Sequence, residues 1–217
     1  MNILLNIHYS CVIYEPMSAR NASSKVINIQ DSILDAAVLR FQHYGIGKTT
    51  MAELASDVDM STANLYRYFK NKEDIAVACS RRCLGDRTAR LACVIENQSF
   101  SATEKLREFV LEMLRYTYDQ ISSNPRINEL VNIIAEKYPE VVFEKNTDER
   151  LLIKNILLEG KESGIFDFED IEKTTIAVHT AIHIFQLPLA MTIHKFDTLL
   201  EMAQLTTDMI LTGLNKR

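Results

Sequence analysis

Residues 49–73 read TTMAELASDVDMSTANLYRYFKNKE, and this stretch decides the fold of the first half of the chain. Thr50 and Glu53 have the spacing of a capping box, so they predict the start of a short helix. Ser61 can cap a second short helix, because a serine hydroxyl accepts a hydrogen bond from a free backbone N–H of the first turn. Two short helices joined by such a tight turn are typical of a helix-turn-helix.

A longer helix precedes this stretch and another follows it. Residues 28–44 place apolar side chains three or four positions apart, which is the period of a helix with one buried face. Gly45 can end that helix, since glycine adopts positive φ at little cost. The helix after the helix-turn-helix is expected to run from Asn71 or Lys72 to about Glu96.

The second half of the chain also has helical periodicity. Ser99 and Ser101 mark a break, and Thr103 is expected to cap the next helix. Pro188 should kink or end a later helix, because proline has no N–H to donate. The further helices are expected at Arg126–Tyr138, Pro139–Ser163, Phe168–Met191 and Phe196–Asn215. The fold class is therefore all-α, with an N-terminal three-helix head, a C-terminal helical bundle and about nine helices in total.

Composition and charge agree with an all-helical protein that has two different ends. The 217 residues include only 6 glycines and 4 prolines, which favours long helices. Residues 1–96 hold 11 Lys and Arg against 10 Asp and Glu, whereas residues 97–217 hold 13 against 19. A nearly neutral front and an acidic rear suit a protein that binds DNA at one end. The four cysteines lack paired spacing, so a reducing cytoplasm is the expected location.

The first residues of the chain are expected to form no part of the fold. The apolar run Ile3–Tyr14 is short and interrupted by polar residues, so it fits neither a signal peptide nor a membrane span. Residues 1–26 are predicted to be a flexible arm. Met17 is an alternative start of translation, which would leave residues 1–16 untranslated.

The motifs of the helix-turn-helix resemble those of the tetracycline-repressor (TetR/AcrR) family. The resemblance covers about fifty residues and rests on Phe41-x-x-Tyr44-Gly45, Thr49-Thr50-Met51-x-x-Leu54-Ala55 and Met60-Ser61-x-x-x-Leu65-Tyr66-x-Tyr68-Phe69-x-Asn71-Lys72-Glu73. It implies a DNA-binding head in residues 27–96, including the linking fourth helix, and a ligand-binding and dimerisation body in residues 97–217. Asp59 departs from the family, which usually has glycine in the turn, and a small loss of stability is expected there.

The recognition helix is expected to enter the major groove with its N-terminal end. Asn64 can pair with adenine, Arg67 with guanine, and Ala63 can contact a thymine methyl group. The resemblance implies phosphate contacts by the two tyrosines, by the lysine that opens the fourth helix and by the residues at helix starts. The complete expected set is Thr50, Ser61, Thr62, Ala63, Asn64, Tyr66, Arg67, Tyr68 and Lys72. In the alternative interpretation, Tyr66 and Tyr68 pack inside the head and Lys72 is a solvated charge.

The resemblance further implies an apolar cavity in the body and a homodimer formed by its last two long helices. Both helices, Ile171–Met191 and Leu199–Leu214, are apolar over more than one face, as expected when a helix packs against its own core and a partner. The alternative is a buried core alone. The candidate cavity residues are Phe109, Met113, Tyr116, Ile134, Phe143 and His183.

Two groups of residues suggest other chemistry. His179 and His183 lie one helical turn apart, which is the spacing of a two-histidine metal site, but polar lining of a pocket or interface is the favoured interpretation and no metal or cofactor is expected. Cys79, Cys83 and Cys93 return to nearly the same face of the fourth helix. Oxidation there could rotate that helix, yet buried and unreactive thiols are the favoured interpretation.

The sequence therefore predicts a transcription regulator that binds a palindromic operator as a homodimer. We expect it to be a repressor. A small and largely apolar effector of unknown identity would release it from double-stranded DNA. A DNA-binding protein without a small-molecule effector, controlled by a protein partner or acting architecturally, is the alternative. No nucleophile–base pair or phosphate loop stands out in the body, so an enzyme is not expected.

Overall fold

The computed structural model describes residues 28–123 and 126–215, and within them the chain folds as helices, with only an isolated β-bridge between Phe166 and Asn215. The prediction of an all-α fold is confirmed, although the described residues form ten α-helices rather than about nine. A short 3-10 helix covers His183–Gln186. The α-helices are α1 Ile29–Tyr44, α2 Met51–Asp57, α3 Thr62–Leu65, α4 Lys72–Glu96, α5 Ala102–Ser123, α6 Ile127–Lys137, α7 Pro139–Glu162, α8 Ile171–Ile182, α9 Pro188–Ile193 and α10 Phe196–Leu214. The expected arm, residues 1–26, lies outside the described residues.

The helix starts in the head follow the caps read from the sequence. The Thr50 hydroxyl accepts from the backbone N–H of Glu53, and the Glu53 side chain accepts from the backbone N–H of Thr50, so the capping box is confirmed. The Ser61 hydroxyl caps α3 by accepting from the N–H of Asn64 at 3.2 Å. Asp59 adopts a φ of 52° in the turn between α2 and α3, the left-handed conformation for which glycine is better suited.

Two large hydrophobic cores and a small third cluster around Val77, Ile134 and Val141 form among the described residues, and α4 contributes to all three. Its first turns supply Ile75 and Cys79 to a head core, which also contains Ile33, Leu34, Ala37, Phe41, Ile46, Met51, Leu54, Ala55, Leu65 and Ala76. Its last turns supply Leu91 and Val94 to a body core centred on buried residues of α5, α7, α8 and α10. The helix therefore joins the two cores rigidly. The division of the chain between residues 96 and 97 stays a prediction.

Three helix boundaries differ from the sequence interpretation. The third helix, for which the sequence predicts an end at Tyr68, ends at Leu65, and residues 66–68 form a turn before α4. Ser101, rather than Thr103, caps α5: its hydroxyl accepts from the N–H of Glu104 at 3.3 Å. The single helix expected over residues 168–191 is split, since α8 ends at Ile182 and Pro188 begins a separate helix. Proline tolerates the first position of a helix, where its missing N–H costs nothing.

None of the described helices is long and apolar enough to cross a membrane.

Two glycines in helices provide a matched test of this packing. A Cβ at Gly160 in α7 would lie 2.0 Å from the ring of Phe166, whereas a Cβ at Gly85 in α4 would meet nothing within 4 Å. Gly160→Ala should therefore lower the free energy of unfolding by about 1–3 kcal/mol through overpacking. Gly85→Ala should raise it by about 0.5–1 kcal/mol, because alanine is the better helix former. Urea unfolding measures both, and equal effects of the two substitutions would contradict the close α7–Phe166 contact.

Candidate DNA-binding surface and ligand cavity

The short helix α3 presents a polar face to solvent at one end of the head. Leu65 is fully buried and anchors the helix to the head core. Tyr66 has 52% of its surface exposed, and Ala63 and Arg67 are exposed beside it. Asn64, like Thr62, is half-buried. Base-reading and phosphate-binding residue types therefore lie on the accessible side of the helix, while its one large apolar residue lies inside.

The remaining residues expected to contact DNA have structural partners within the head. Tyr68 is half-buried and packs against the head core. The ammonium of Lys72 donates to the backbone carbonyls of Thr49 at 2.9 Å and Gly47 at 3.2 Å. It thereby fixes the loop between α1 and α2. Because an ammonium carries three N–H donors, these two bonds leave one for a phosphate.

Helix α6 of the body holds the same loop from the other side. The Glu129 carboxylate accepts from the N–H of Gly47 at 2.8 Å, and the Arg126 side chain donates to the carbonyl of His43 at 3.2 Å. A Cβ at Gly45 would lie 2.4 Å from a Glu129 oxygen, so glycine permits this close approach and also supplies the positive φ of 81°. Sequence reasoning missed these contacts, because Glu129 is 82 residues from its partner.

A cavity of about 340 Å³ lies where the head meets the body. Its walls come from α1, α4, α5, α6, the start of α7 and residues 183–188. Most lining side chains are apolar or weakly polar: Val38, Phe41, Cys79, Cys83, Leu84, Tyr116, Ile121, Ile127, Leu130, Val131, Ile134, Ala135, Val142, Leu187 and Pro188. This volume lies at the low end of the range for small-molecule sites. Val38 and Phe41 belong to α1, so the head itself forms part of the cavity.

The structure brings only part of the expected cavity set together. Tyr116, Ile134 and His183 line the cavity. Phe109 and Met113 do not, because both are fully buried in the body core, one or two turns before the cavity wall of α5. Phe143 is 68% exposed on the outside of α7. The apolar period of a helix identifies buried residues but does not separate those facing a cavity from those filling a core, which explains these corrections.

One end of the cavity carries a cluster of buried and half-buried polar residues from four elements. We call Arg87, Lys145, Glu149, His179, His183 and Gln186 the polar cluster. Arg87 forms a buried ion pair with Glu149, whose second oxygen accepts a hydrogen bond from Nε2–H of His179 at 3.0 Å. Lys145 donates to the Gln186 amide oxygen at 2.5 Å, and the Gln186 amide nitrogen lies 2.9 Å from His183 Nδ1.

These contacts determine the protonation of the cluster. Burial by itself would raise the pKa of Glu149, but the hydrogen bond with His179 and the charges of Arg87 and Lys145 outweigh it and lower that pKa to about 2. Burial lowers the pKa of Lys145 to about 8, although the Glu149 carboxylate opposes the shift. Burial also lowers the pKa of His183, which favours its neutral form. The cluster at neutral pH thus holds a charged carboxylate between two cations.

The histidines and cysteines have structural explanations. His179 contacts Glu149, and within the described parts of the chain no group of three or more His, Cys, Asp and Glu side chains is placed to hold a metal ion. Burial raises the pKa of the Cys79 thiol to about 12 and also raises that of Cys83, whose sulfur lies 3.3 Å from the Tyr116 hydroxyl. Raised pKa values disfavour the reactive thiolate, so these thiols are poorly suited to redox sensing.

A second exposed feature lies on the body, along α8 and α10. The inner sides of these helices pack into the body core through Val178, Ile182, Leu199 and Ala203. Large apolar side chains on their outer sides remain in solvent, namely Ile176 of α8 and Leu205 and Met209 of α10, and Ile184 of the 3-10 helix after α8 is exposed as well. Contiguous exposed apolar residues on neighbouring helices are typical of a protein interface.

The polar cluster generates a prediction about acid stability. Glu149→Gln should lower the free energy of unfolding by about 3–5 kcal/mol at pH 7, because it leaves two buried cations without their carboxylate. The pKa of Glu149 falls from 4.5 to about 2 on folding, so its stabilisation is complete above pH 4.5 and is lost as the pH falls towards 2. Urea unfolding of the variant should therefore depend less on pH in this window than that of the wild type.

Glu144→Gln is the matched control for this substitution. Glu144 lies on the same helix and pairs with Arg81, but both side chains are about half exposed. Its substitution should change the free energy of unfolding by less than about 1 kcal/mol and leave the acid dependence intact. The same acid dependence in Glu149→Gln as in the wild type would contradict the low pKa of Glu149.

Comparison with known proteins agrees with both halves of the chain. Residues 33–79 match the sequence model described as "Bacterial regulatory proteins, tetR family", and residues 102–204 match "Tetracyclin repressor-like, C-terminal domain". The biofilm operon regulator IcaR of Staphylococcus aureus is 29% identical over 104 residues, which is 45% of this chain and 55% of that protein. The chain thus spans about half the length of the curated relative that it matches.

Solved structures share the fold over most of the chain. A transcriptional regulator from Cytophaga hutchinsonii superimposes with a TM-score of 0.69 at 21% identity and covers 86% of this chain and 98% of its own. FadR from Bacillus subtilis, solved in complex with stearoyl-CoA, gives a TM-score of 0.60 at 20% identity. This match covers 84% of this chain and 98% of FadR. Together with the matches to both family models, the cap-defined helix-turn-helix and the helical body show that the chain belongs to the TetR family of bacterial transcription regulators.

Proposed function

We propose that this protein binds a palindromic operator in double-stranded DNA as a homodimer and represses transcription until a small, largely apolar effector releases it. The observation that carries this proposal is the exposed surface formed by α3 and the turn directly after it. Ala63 of α3 and Tyr66 and Arg67 of that turn lie in solvent, with Asn64 partly accessible, and Leu65 holds the helix against the head core. Helices with this arrangement read base edges in the major groove with their N-terminal residues.

The exposed apolar side chains of α8 and α10 support the homodimer. Ile176, Ile184, Leu205 and Met209 are all exposed on the body, where a second copy could cover them and form a four-helix bundle. A two-fold arrangement places two heads side by side. Such heads bind half-sites about 34–36 Å apart, in successive major grooves.

The cavity at the head–body junction supports regulation by a ligand. Its walls include Val38 and Phe41 of α1 as well as Ile134 of α6, so a bound molecule would touch the head and the body together. Glu129 of α6 accepts a hydrogen bond from Gly47 in the loop after α1. A displacement of α6 would therefore also move this loop and the start of α2. A ligand that prefers one separation of the heads shifts the population towards it and changes DNA affinity by its differential binding free energy.

The relatives add limited support for the sign of regulation. IcaR is named a negative transcriptional regulator, which favours repression here. FadR was solved with stearoyl-CoA, which favours a molecule with a long apolar part as effector. The alternative, a DNA-binding protein without a small-molecule effector, would suit a filled interior, and the cavity of about 340 Å³ favours ligand sensing over it. A regulator of this kind acts in the cytoplasm and has no enzymatic role in this proposal.

Footprinting on the DNA upstream of the protein's own gene tests operator binding. The wild type should protect a palindrome. Tyr66→Ala should weaken binding about 10-fold or more, because it removes an exposed phosphate contact. Asn64→Ala should lose about 1–3 kcal/mol of discrimination at one base pair, so the protected region should blur without disappearing.

Lys173→Ala is the control, since Lys173 is an exposed cation on α8, in the body. It should bind the palindrome like the wild type. Equal losses for Lys173→Ala and Tyr66→Ala would contradict a specific DNA contact by Tyr66, because Lys173 lies in the body, away from the proposed DNA-binding surface. Absence of DNA binding by the wild type, on this DNA and on genomic fragments, would overturn the proposed function.

A further inference from the structure

The polar cluster contains more polar residues and more positive charge than the packing of a protein core requires. Two cations, Arg87 and Lys145, contact a single buried carboxylate, that of Glu149. The two cations and the neighbouring Gln186 and His183 all line the cavity, which is otherwise mostly apolar. Buried charges usually occur in balanced pairs, because an excess charge costs several kcal/mol of lost hydration. The excess cation at this position therefore indicates that an anionic partner binds here.

Arg87 provides a second observation at the same place. Only 5% of its surface is exposed, and it pairs with Glu149 through Nη2. Its Nε–H is buried and has no hydrogen-bond acceptor within the parts of the chain that the structure describes. Buried donors are nearly always satisfied, and an exception in a cavity wall indicates an acceptor that is supplied from outside the chain.

The other charges at the cavity do not remove this excess. Arg82 lines the cavity but already pairs with Asp35 at 2.9 Å. Asp86 also lines it, but among the described residues no ion pair joins Asp86 to Arg87 or Lys145, which both pair with Glu149. A cationic ligand would be repelled by Arg87 and Lys145. A purely apolar ligand would leave the Nε–H of Arg87 unsatisfied, and a neutral hydrogen-bond acceptor would leave the excess positive charge uncompensated.

The geometry points to an amphipathic organic monoanion, a medium-chain carboxylate, as the ligand of this cavity. Its carboxylate would lie between Arg87 and Lys145, and its apolar chain would lie along the wall that α6 forms with Leu130, Val131 and Ile134. This inference rests on the proposed function for the role of the cavity, and it adds the chemical class of the effector. A carboxylate suits the site because it accepts two charge-assisted hydrogen bonds with no proton of its own.

Calorimetric titration of the DNA-free protein tests the assignment with three probes of equal chain length below their micelle concentrations. Decanoate should bind about 10-fold or more tightly than decan-1-ol, since one charge-assisted hydrogen bond is worth about this factor. Decyltrimethylammonium should not bind. Equal affinities for decanoate and decan-1-ol would overturn the inference, because they would show that the cations contribute nothing.

Three variants separate the charge from the apolar wall. Lys145→Met removes the ammonium and keeps the apolar stem, so decanoate should bind about 10-fold more weakly while decan-1-ol is unaffected. Lys154→Met is the matched control, because Lys154 lies on the same helix and pairs with Glu172 at the surface. Val131→Phe fills the cavity and should abolish binding of both probes. Thermal unfolding checks that each variant is folded. Arg87 is not substituted, because its loss would leave the buried Glu149 carboxylate without its ion-pair partner.

The outcomes for this inference and for the proposed function are distinguishable. Loss of decanoate affinity in Lys145→Met but not in Lys154→Met supports the inference. Operator affinity that does not change with decanoate would contradict only the proposed release from DNA by this ligand. Unchanged decanoate affinity in a folded Lys145→Met overturns the inference, and leaves open release by a neutral apolar effector.

Discussion

Helix α4 is shared by two hydrophobic cores, and the rest of the structure depends on this constraint. Ile75 and Cys79 are buried in the head core, and Leu91 and Val94 are buried in the body core. A helix is stiff over such a length, so the head cannot turn independently of the body without exposing apolar surface at one end. The cavity lies beside the middle of α4, between the two cores. A molecule that occupies it therefore acts on the segment that fixes the position of the head.

The polar cluster gives the body side of this junction a defined geometry. Glu149 contacts Arg87 of α4 and His179 of α8, so one carboxylate ties three helices together. Buried ion pairs add little to net stability, because the desolvation of both charges offsets their attraction, but breaking one leaves an uncompensated charge. The cluster thus restricts how α4 and α7 can pack, and its excess cation makes the same position a recognition site for an anion. Helix α6 completes the link through Glu129, which holds the loop at Gly47.

Local signals in the sequence predicted the head closely, because each of its helices starts with its own cap. Thr50 with Glu53, and Ser61, lie at the helix starts that their side chains indicated. The body was less predictable. Ser101 forms a capping box with Glu104, a local signal that the choice of Thr103 overlooked. The polar cluster could not be found, since Arg87 and Glu149 are 62 residues apart and meet only when α4 packs on α7. Periodicity likewise placed Phe109 and Met113 inside without showing that they fill the body core.

The central claim is that the cavity and the DNA-binding surface are energetically coupled through α4, α6 and α1. Thermodynamic reciprocity tests this most directly, since a ligand that weakens DNA binding must itself bind more weakly to the DNA-bound protein, by the same factor. Decanoate affinity should be measured by calorimetry on the free protein and on the protein saturated with its operator, alongside operator affinity with and without decanoate. The account predicts weakening of about 5-fold or more, equal in both directions, within the usual range of allosteric coupling. Decanoate binding with the same affinity to free and operator-bound protein would contradict it.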